Sequence, residues 1–324
     1  MDSMLQVIRQ EAVEKRYNRK HIDQYIREAL LGSADMQGRI AHGVALIEAY
    51  KAKRYYDSKD ARIAQLEGLD LTALVTDIFV GVAYCQKEEL FTSVSAQMAA
   101  RLKFSDKAEA IKTVAELMAV LCGTDAFDIN KASAMSSLMV QSRIPLEDKL
   151  IEFIINSQYL PPMLCEPLEL TSNYSSGYLT HTDSVILKGY NHHDGDVCLD
   201  VLNIVNRVAL KLDTDFVGSV EENPNEAFTV DRAKDAAAEK GVYLTEAQAL
   251  DTVAKQIENW NRFKGQSYEF YLLMATQGNE FYLTHKVDKR GRIYASGFHI
   301  STQGSAHKKA CLELAKQELV EGMP

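Results

Sequence analysis

The chain has 324 residues, a formal net charge of −9 at pH 7 and 46% hydrophobic residues, the balance of a soluble globular protein with room for two or three domains. An acidic total disfavours nonspecific coating by nucleic acid and still permits a local basic groove. No apolar run approaches the roughly 20 residues that a membrane span needs, and Met1-Asp2-Ser3 opens no signal peptide.

Residues 1–155 read as a helical N-terminal domain. Leu5, Ile8 and Val13, then Ile22, Tyr25, Ile26 and Leu30, recur at helical spacing, and Gly32 supplies a stop. Ile40, Val44, Ile47 and Tyr50 continue the pattern before a charged, exposed segment from Lys51 to Asp60. Leu71–Tyr84 is apolar enough for a buried helix. Ser105 is placed to cap the next, in which Ile111, Val114, Leu117, Met118 and Leu121 share a face and Gly123 follows the end. Pro145 opens one more, with Leu146, Leu150, Phe153 and Ile154 inward. Nothing in this half carries chemistry. A helical bundle that only packs accounts for it.

The texture changes at Tyr159-Leu160-Pro161-Pro162, and residues 156–196 read as a β-containing connector with short runs such as Ser184–Leu187. Asn191-His192-His193-Asp194-Gly195-Asp196 has metal-binding residue types, but neighbours in an Asp-Gly turn seldom converge on one ion, so it reads as a solvated turn. Helices return at Val197–Leu212. Thr245-x-x-Gln248 is a capping box that opens a long helix through Ala249, Val253, Ile257 and Trp260, with Gly265 a candidate interruption before Ser267–Met274. The two helices of residues 197–277 form an expected antiparallel pair. Cys85, Cys122, Cys165, Cys198 and Cys311 are far apart and never in Cys-x-x-Cys spacing, which suits free thiols in a reducing cytoplasm and argues against structural zinc.

Chemistry concentrates between Phe281 and Lys309. Phe281–Val287 and Ile293–Ile300 alternate apolar and polar around Asp288–Gly291, the pattern of a β-hairpin. Gln303-Gly304-Ser305 leads into an expected helix over 305–320 with Cys311, Leu314, Ala315 and Leu319 inward. Lys286, Lys289, Arg290, Arg292, Lys308 and Lys309 stand against the single Asp288 between 285 and 309. Cations in a helix's first turn oppose its macrodipole unless an anion sits there, and phosphate is the natural anion. Charge alone leaves a solvated basic turn and a phosphate-contacting patch equally open. Asp288 has no nearby carboxylate or His partner for acid–base work, so it is read as positioning Arg290 or Arg292, or capping the turn.

These residues carry a resemblance. Phe281-Tyr282, Asp288-x-Arg290-Gly291-Arg292-x-Tyr294-Ala295, Gln303-Gly304 and Lys309-x-x-Leu312-x-Leu314-Ala315-Lys316 resemble the Asp/Thr-x-x-Gly-Arg region of the single-subunit RNA polymerases of T-odd phages and mitochondria. Upstream and in family order, Pro162-x-x-x-x-Pro167-x-x-x-Thr171 with Gly177-Tyr178 is similar to the lead into the family's thumb. Asn203-Ile204-x-x-x-x-Ala209-x-Lys211 is similar to the first thumb helix and Ser267-x-Glu269-Phe270 to the end of the second. The likeness covers roughly 155–324 in order, and 65–155 only as a helical pattern. This sequence departs in a slightly longer segment before Gln303 and in Thr302, where the family usually has proline.

The resemblance implies a mainly α fold with a minor α+β part: the helical N-terminal domain, the connector, a two-helix thumb over 197–277, and over 278–324 the beginning of a palm, a β-hairpin plus helix completed by a second chain. The family's metal-binding aspartates lie beyond this region, so the chain looks like the small, N-terminal subunit of the heterodimeric RNA polymerase II of N-four-like bacteriophages. In that setting Arg292, Arg290, Lys289, Lys309 and Lys308 are expected to contact template or hybrid. Asp288, Gly291, Tyr294, Gln303 and Gly304 are expected to shape the motif, and no catalytic or metal-binding residue is expected in this chain. Two Mg2+ ions would be held by a larger C-terminal subunit with palm and fingers. The implied partners are that subunit, DNA template, RNA transcript, nucleoside triphosphates and a single-stranded-DNA-binding activator, in the cytoplasm of an infected bacterial host. The competing class is a noncatalytic helical adaptor or nucleic-acid-binding regulator with a basic hairpin.

Overall fold

A computed structural model describes residues 2–99, 102, 104, 106–131, 137–156, 159–180, 184–187, 195–219 and 228–316. Helix accounts for 57% and strand for 10%, which makes the fold mainly α with small sheets. The chain divides into two units, one of Arg16–Gln158 and one that joins Met1–Lys15 to Tyr159–Pro324. Most of α1 (Asp2–Tyr17) belongs to the second.

The Arg16–Gln158 unit holds α2 (Arg19–Gly32), α3 (Ala34–Lys51), α4 (Asp57–Ala64), α5 (Leu71–Ala83), α6 (Phe91–Ala99), α7 (Lys107–Leu121) and α8 (Asp148–Asn156). Short polar side chains start the helices by accepting orphan backbone N–H groups: Asn18 for α2, Ser33 for α3, Asp70 for α5 and Asp106 for α7. Asp106 serves where Ser105 was expected, and Ser105 lies outside the described residues. Ile22, Ile26 and Leu30 share one face of α2 and are fully buried against a core that includes Ile47, Val75, Phe79, Leu117 and Phe127. Arg62 is buried in it too. Its guanidinium is neutralised by Glu109 at 3.0 Å and Glu116 at 2.8 Å, which makes its burial tolerable.

One part of this unit is not helical. Strands β1 (Glu89–Leu90), β2 (Phe127–Lys131) and β3 (Leu138–Ser142) form an antiparallel sheet in the order β1-β3-β2. The strands are only two to five residues long, too short to stand out against the surrounding helical periods. Within the expected exposed segment Lys51–Asp60, the chain enters α4, which buries Arg62 and Ile63 just beyond.

The second unit is built around the strip Phe281–Asp288. Phe281 exchanges backbone hydrogen bonds with Leu210 at 2.9 and 2.8 Å, and Tyr282 with Met163 at 2.8 Å. Val287 donates to Val185 and accepts from Leu187. Phe281, Leu283, His285, Val287 and Asp288 are all buried. Around the strip lie α9 (Leu199–Asn206), β4 (Leu210–Leu212), α10 (Thr214–Ser219), α11 (Val230–Ala238), α12 (Glu246–Thr276), β5 (His285–Val287), β6 (Ile293–Ala295), α13 (Ala306–Ala310) and β7 (Leu312–Leu314).

Three expected elements change here. The helix from Val197 stops at Asn206, because the backbone of Leu210 is taken by Phe281 and β4 pairs antiparallel with β7. The helix expected over 305–320 is the five-residue α13 followed by β7; Leu314 is 54% exposed rather than inward, and residues 317–320 lie outside the described residues. Gly265 does not interrupt α12, which packs against α11 and is tied to it by the Lys234–Glu246 ion pair. The expected pair joins a helix near 195–212 to this long one, whereas the helix that packs most against α12 is α11. The turn rejected as a metal site falls largely outside the described residues, since 191–194 are not among them.

Candidate nucleic-acid interface

β5 and β6 pair in register, His285 with Ala295, Lys286 with Tyr294 and Val287 with Ile293. The turn between them is set by Asp288. Its backbone N–H donates to Arg292 O at 3.0 Å and its carbonyl accepts from the Gly291 N–H at 2.9 Å. Gly291 has φ +80°, a left-handed conformation that glycine adopts without a Cβ clash.

The Asp288 carboxylate is 3% exposed, and both its oxygens are used. Oδ1 accepts from the backbone N–H of Arg290 at 2.9 Å and of Arg292 at 3.0 Å. Oδ2 accepts from Arg292 Nε at 2.7 Å, Arg290 Nε at 3.3 Å and the Tyr294 hydroxyl at 3.3 Å. Burial pushes the Asp288 pKa up, but the Arg292 amide and guanidinium outweigh it and hold the carboxyl below its ordinary value. Its partner bond raises Arg292 above the ordinary guanidinium value. The two arginine side chains remain 65% and 53% exposed. One buried carboxylate thus fixes two guanidiniums side by side with their outer edges open to solvent, the geometry that suits phosphate oxygens.

Gln303 ties this hairpin to the segment that leads into α13. Its side chain donates to Ile293 O at 2.9 Å and accepts from Ala295 N–H at 3.1 Å, as a neighbouring strand would. Gly304, at φ +121°, turns the chain into α13, where Ser305 accepts from Lys308 N–H. At five residues, α13 carries only a small dipole, and His307, Lys308 and Lys309 occupy its last turn as well as its first. So short a helix offers an anion little dipolar attraction. Lys308 instead holds its ammonium 4.2 Å from the Phe298 ring centre and 5.1 Å from that of Phe263. Lys289 and Lys309 are exposed.

Segments far apart in sequence support the hairpin. The Asn203 amide exchanges two hydrogen bonds with the Leu170 backbone, at 2.8 and 3.0 Å. His285 Nδ1 lies 2.9 Å from Asn206 Oδ1, and burial lowers the His285 pKa, so a neutral ring sits there. Sequence reasoning missed Asn206 and His285, whose only signal was a His and an Asn in otherwise apolar runs. It also missed the aromatic cluster Tyr159, Trp260, Phe263, Phe298 and His299, which no local period links. Among the described residues no group of three or more His, Cys, Asp or Glu side chains is placed to hold a metal. Asp288 does not fit that role, because its lone pairs are already engaged.

No family model matches the sequence. A "Probable DNA-directed RNA polymerase" of Gelasinospora sp. (strain G114) is 25% identical over 185 residues, which cover 54% of this chain. This likeness supports a relation to DNA-directed RNA polymerases. The match takes in 19% of the relative's own length.

Proposed function

We propose that this chain is the N-terminal subunit of a two-chain bacteriophage DNA-directed RNA polymerase, acting in the cytoplasm of an infected bacterium. It contributes the template- and hybrid-contacting motif to a nucleotidyl-transfer site completed by a larger chain with palm and fingers. The observation that carries this reading is the pair of arginines held by Asp288, in a chain similar to an RNA polymerase. Arg292 and Arg290 contact backbone phosphates of template or hybrid, with Lys289, Lys308 and Lys309 beside them. Asp288, Gly291, Tyr294, Gln303 and Gly304 fix the shape that presents them. The α11–α12 pair takes the part of the thumb. Two Mg2+ ions belong to the partner's aspartates and supply the Lewis acidity for phosphoryl transfer when bound; this chain's residues bind and orient nucleic acid. Nucleoside triphosphates enter at the shared site, and a single-stranded-DNA-binding activator brings the enzyme to its template.

The test is reconstitution of RNA synthesis on single-stranded DNA from this chain and a palm-bearing chain. Activity of the mixture and silence of either chain alone are expected. Synthesis by this chain alone would contradict the assignment, and indifference to the second chain would make it a noncatalytic nucleic-acid-binding regulator. Arg292→Ala is expected to leave assembly intact and weaken template binding by about 1–3 kcal/mol, with a shallower salt dependence. Unchanged affinity and salt slope would remove Arg292 from the interface.

A further inference from the structure

Three residues past β6 the chain presents an aromatic surface that the arginine pair does not explain. Phe298 is 36% exposed. Its ring lies parallel to Tyr159 at 4.0 Å and 11°, and Phe263 meets it edge-on at 5.7 Å and 82°. Beneath them His299 is buried, stacked on Phe270 at 4.8 Å and hydrogen-bonded to Ser267 at 2.8 Å. Burial and the Lys308 charge lower its pKa to about 4, so it is a neutral aromatic ring at the base of the cluster. The backbone that carries Phe298 is set by a tight turn. A Cβ on Gly297 would stand 2.2 Å from the Ile300 carbonyl oxygen, so only glycine permits that turn.

Over this surface sits a half-buried cation. Lys308 has two aromatic faces as its neighbours, and among the described residues no carboxylate pairs with it. Lys309 follows it, exposed and likewise without an acidic partner among the described residues. A free inorganic phosphate would use the lysines and ignore the rings. A docked apolar helix would cover the rings and leave two lysines without counter-charge. A nucleotide satisfies both, because it joins a flat π-face to an anionic phosphate.

We propose, resting on the nucleic-acid reading above, that Phe298 and Tyr159 with Phe263 are a stacking platform for a base of single-stranded nucleic acid. Lys308 leaves the Phe298 face when the base arrives and turns to the adjoining phosphate, with Lys309 as a second contact. The platform reads no sequence, since every base offers a π-face.

The experiment uses the full chain and short single-stranded oligonucleotides, one DNA and one RNA, each carrying a 2-aminopurine whose fluorescence is quenched by stacking. Quenched binding is expected for the wild type, and the tighter arm identifies the strand. Phe298→Ala should raise Kd about tenfold and abolish the quench, and Phe298→Trp should restore both. Phe298→Leu keeps the apolar contact and the melting temperature but loses the quench, which separates stacking from folding. Lys308→Gln should flatten the salt dependence by about one ion and keep the quench. Wild-type affinity and quench in Phe298→Ala, with Arg292→Ala impaired, would overturn the platform and leave the arginine interface standing. Failure of the wild type to bind either strand would overturn both. Loss of a palm-bearing chain by Phe298→Ala, with oligonucleotide binding untouched, would make the surface a protein contact and overturn the platform.

Discussion

Two long, flexible arginine side chains become a fixed feature because Asp288 accepts from both at one oxygen while its other oxygen holds their backbone amides. Side-chain entropy is then lost on folding rather than on binding, which favours a bound anion. Asp288→Asn keeps an oxygen for the amides but turns an NH2 toward two guanidiniums. It is expected to free both arginines and reduce template affinity about as much as Arg292→Ala, with the hairpin retained; equal affinity in a filter-binding titration would show that the tether does not matter. His299 makes a pH prediction. Its folded pKa is about 4 against an ordinary 6.5, chiefly from burial and then from Lys308. A histidine held neutral gives its full stability above pH 6.5 and loses it as the pH falls towards 4. The loss is on the order of 2–3 kcal/mol. His285 and His307 are also lowered by burial and titrate in the same direction. The difference between wild type and His299→Gln in urea midpoints at neutral and acid pH isolates His299. Parallel profiles would remove it as the sensor.

At the scale of elements, two glycines separate backbone need from helical habit. Gly297 would place a Cβ 2.2 Å from a carbonyl oxygen, whereas Gly265, inside α12, would meet nothing within 4 Å. Gly297→Ala should therefore destabilise the composite unit by about 2–3 kcal/mol through backbone strain. Gly265→Ala should stabilise it by about 0.5–1 kcal/mol through helix propensity. Thermal melts of the two variants moving the same way would refute that contrast. The same pair shows what the sequence makes legible. The Thr245–Gln248 capping box and the hairpin turn at Asp288–Gly291 are local, so residue types at fixed spacing revealed them. β4 and β7 are not local. Their three-residue ladder joins Leu210 to Leu314, and it overrode a helical period that ran on through Leu212. The candidate site divides likewise: the arginines and Asp288 were readable as a motif, whereas the stack of Tyr159 on Phe298 depends on a contact across most of the unit.

For the whole molecule, the telling residues lie in α1. Leu5 and Ile8, which helical spacing marked as inward, are 45% and 54% exposed, while Gln10 and Glu14 are fully buried. The reason is hydrogen bonding rather than apolar packing. Glu14 accepts from Leu179 N–H at 2.8 Å, Thr180 N–H at 2.7 Å and the Thr180 hydroxyl at 2.5 Å. Gln10 accepts from Leu164 N–H at 2.8 Å and donates to Glu14 at 2.9 Å. The first helix thus satisfies backbone donors in an irregular segment. Glu14→Ala removes the acceptor of two part-buried amides and of the Thr180 hydroxyl, which costs about 3 kcal/mol. Because these bonds lie within the Met1–Lys15 and Tyr159–Pro324 unit, that unit should unfold earlier in denaturant. The core of Ile22, Phe79, Leu117 and Phe127 should keep its midpoint. Hydrogen exchange read residue by residue distinguishes the two. Protection lost across 2–15 and 159–316 alone is the expected outcome, and equal loss throughout the chain would mean that the molecule unfolds as one cooperative body.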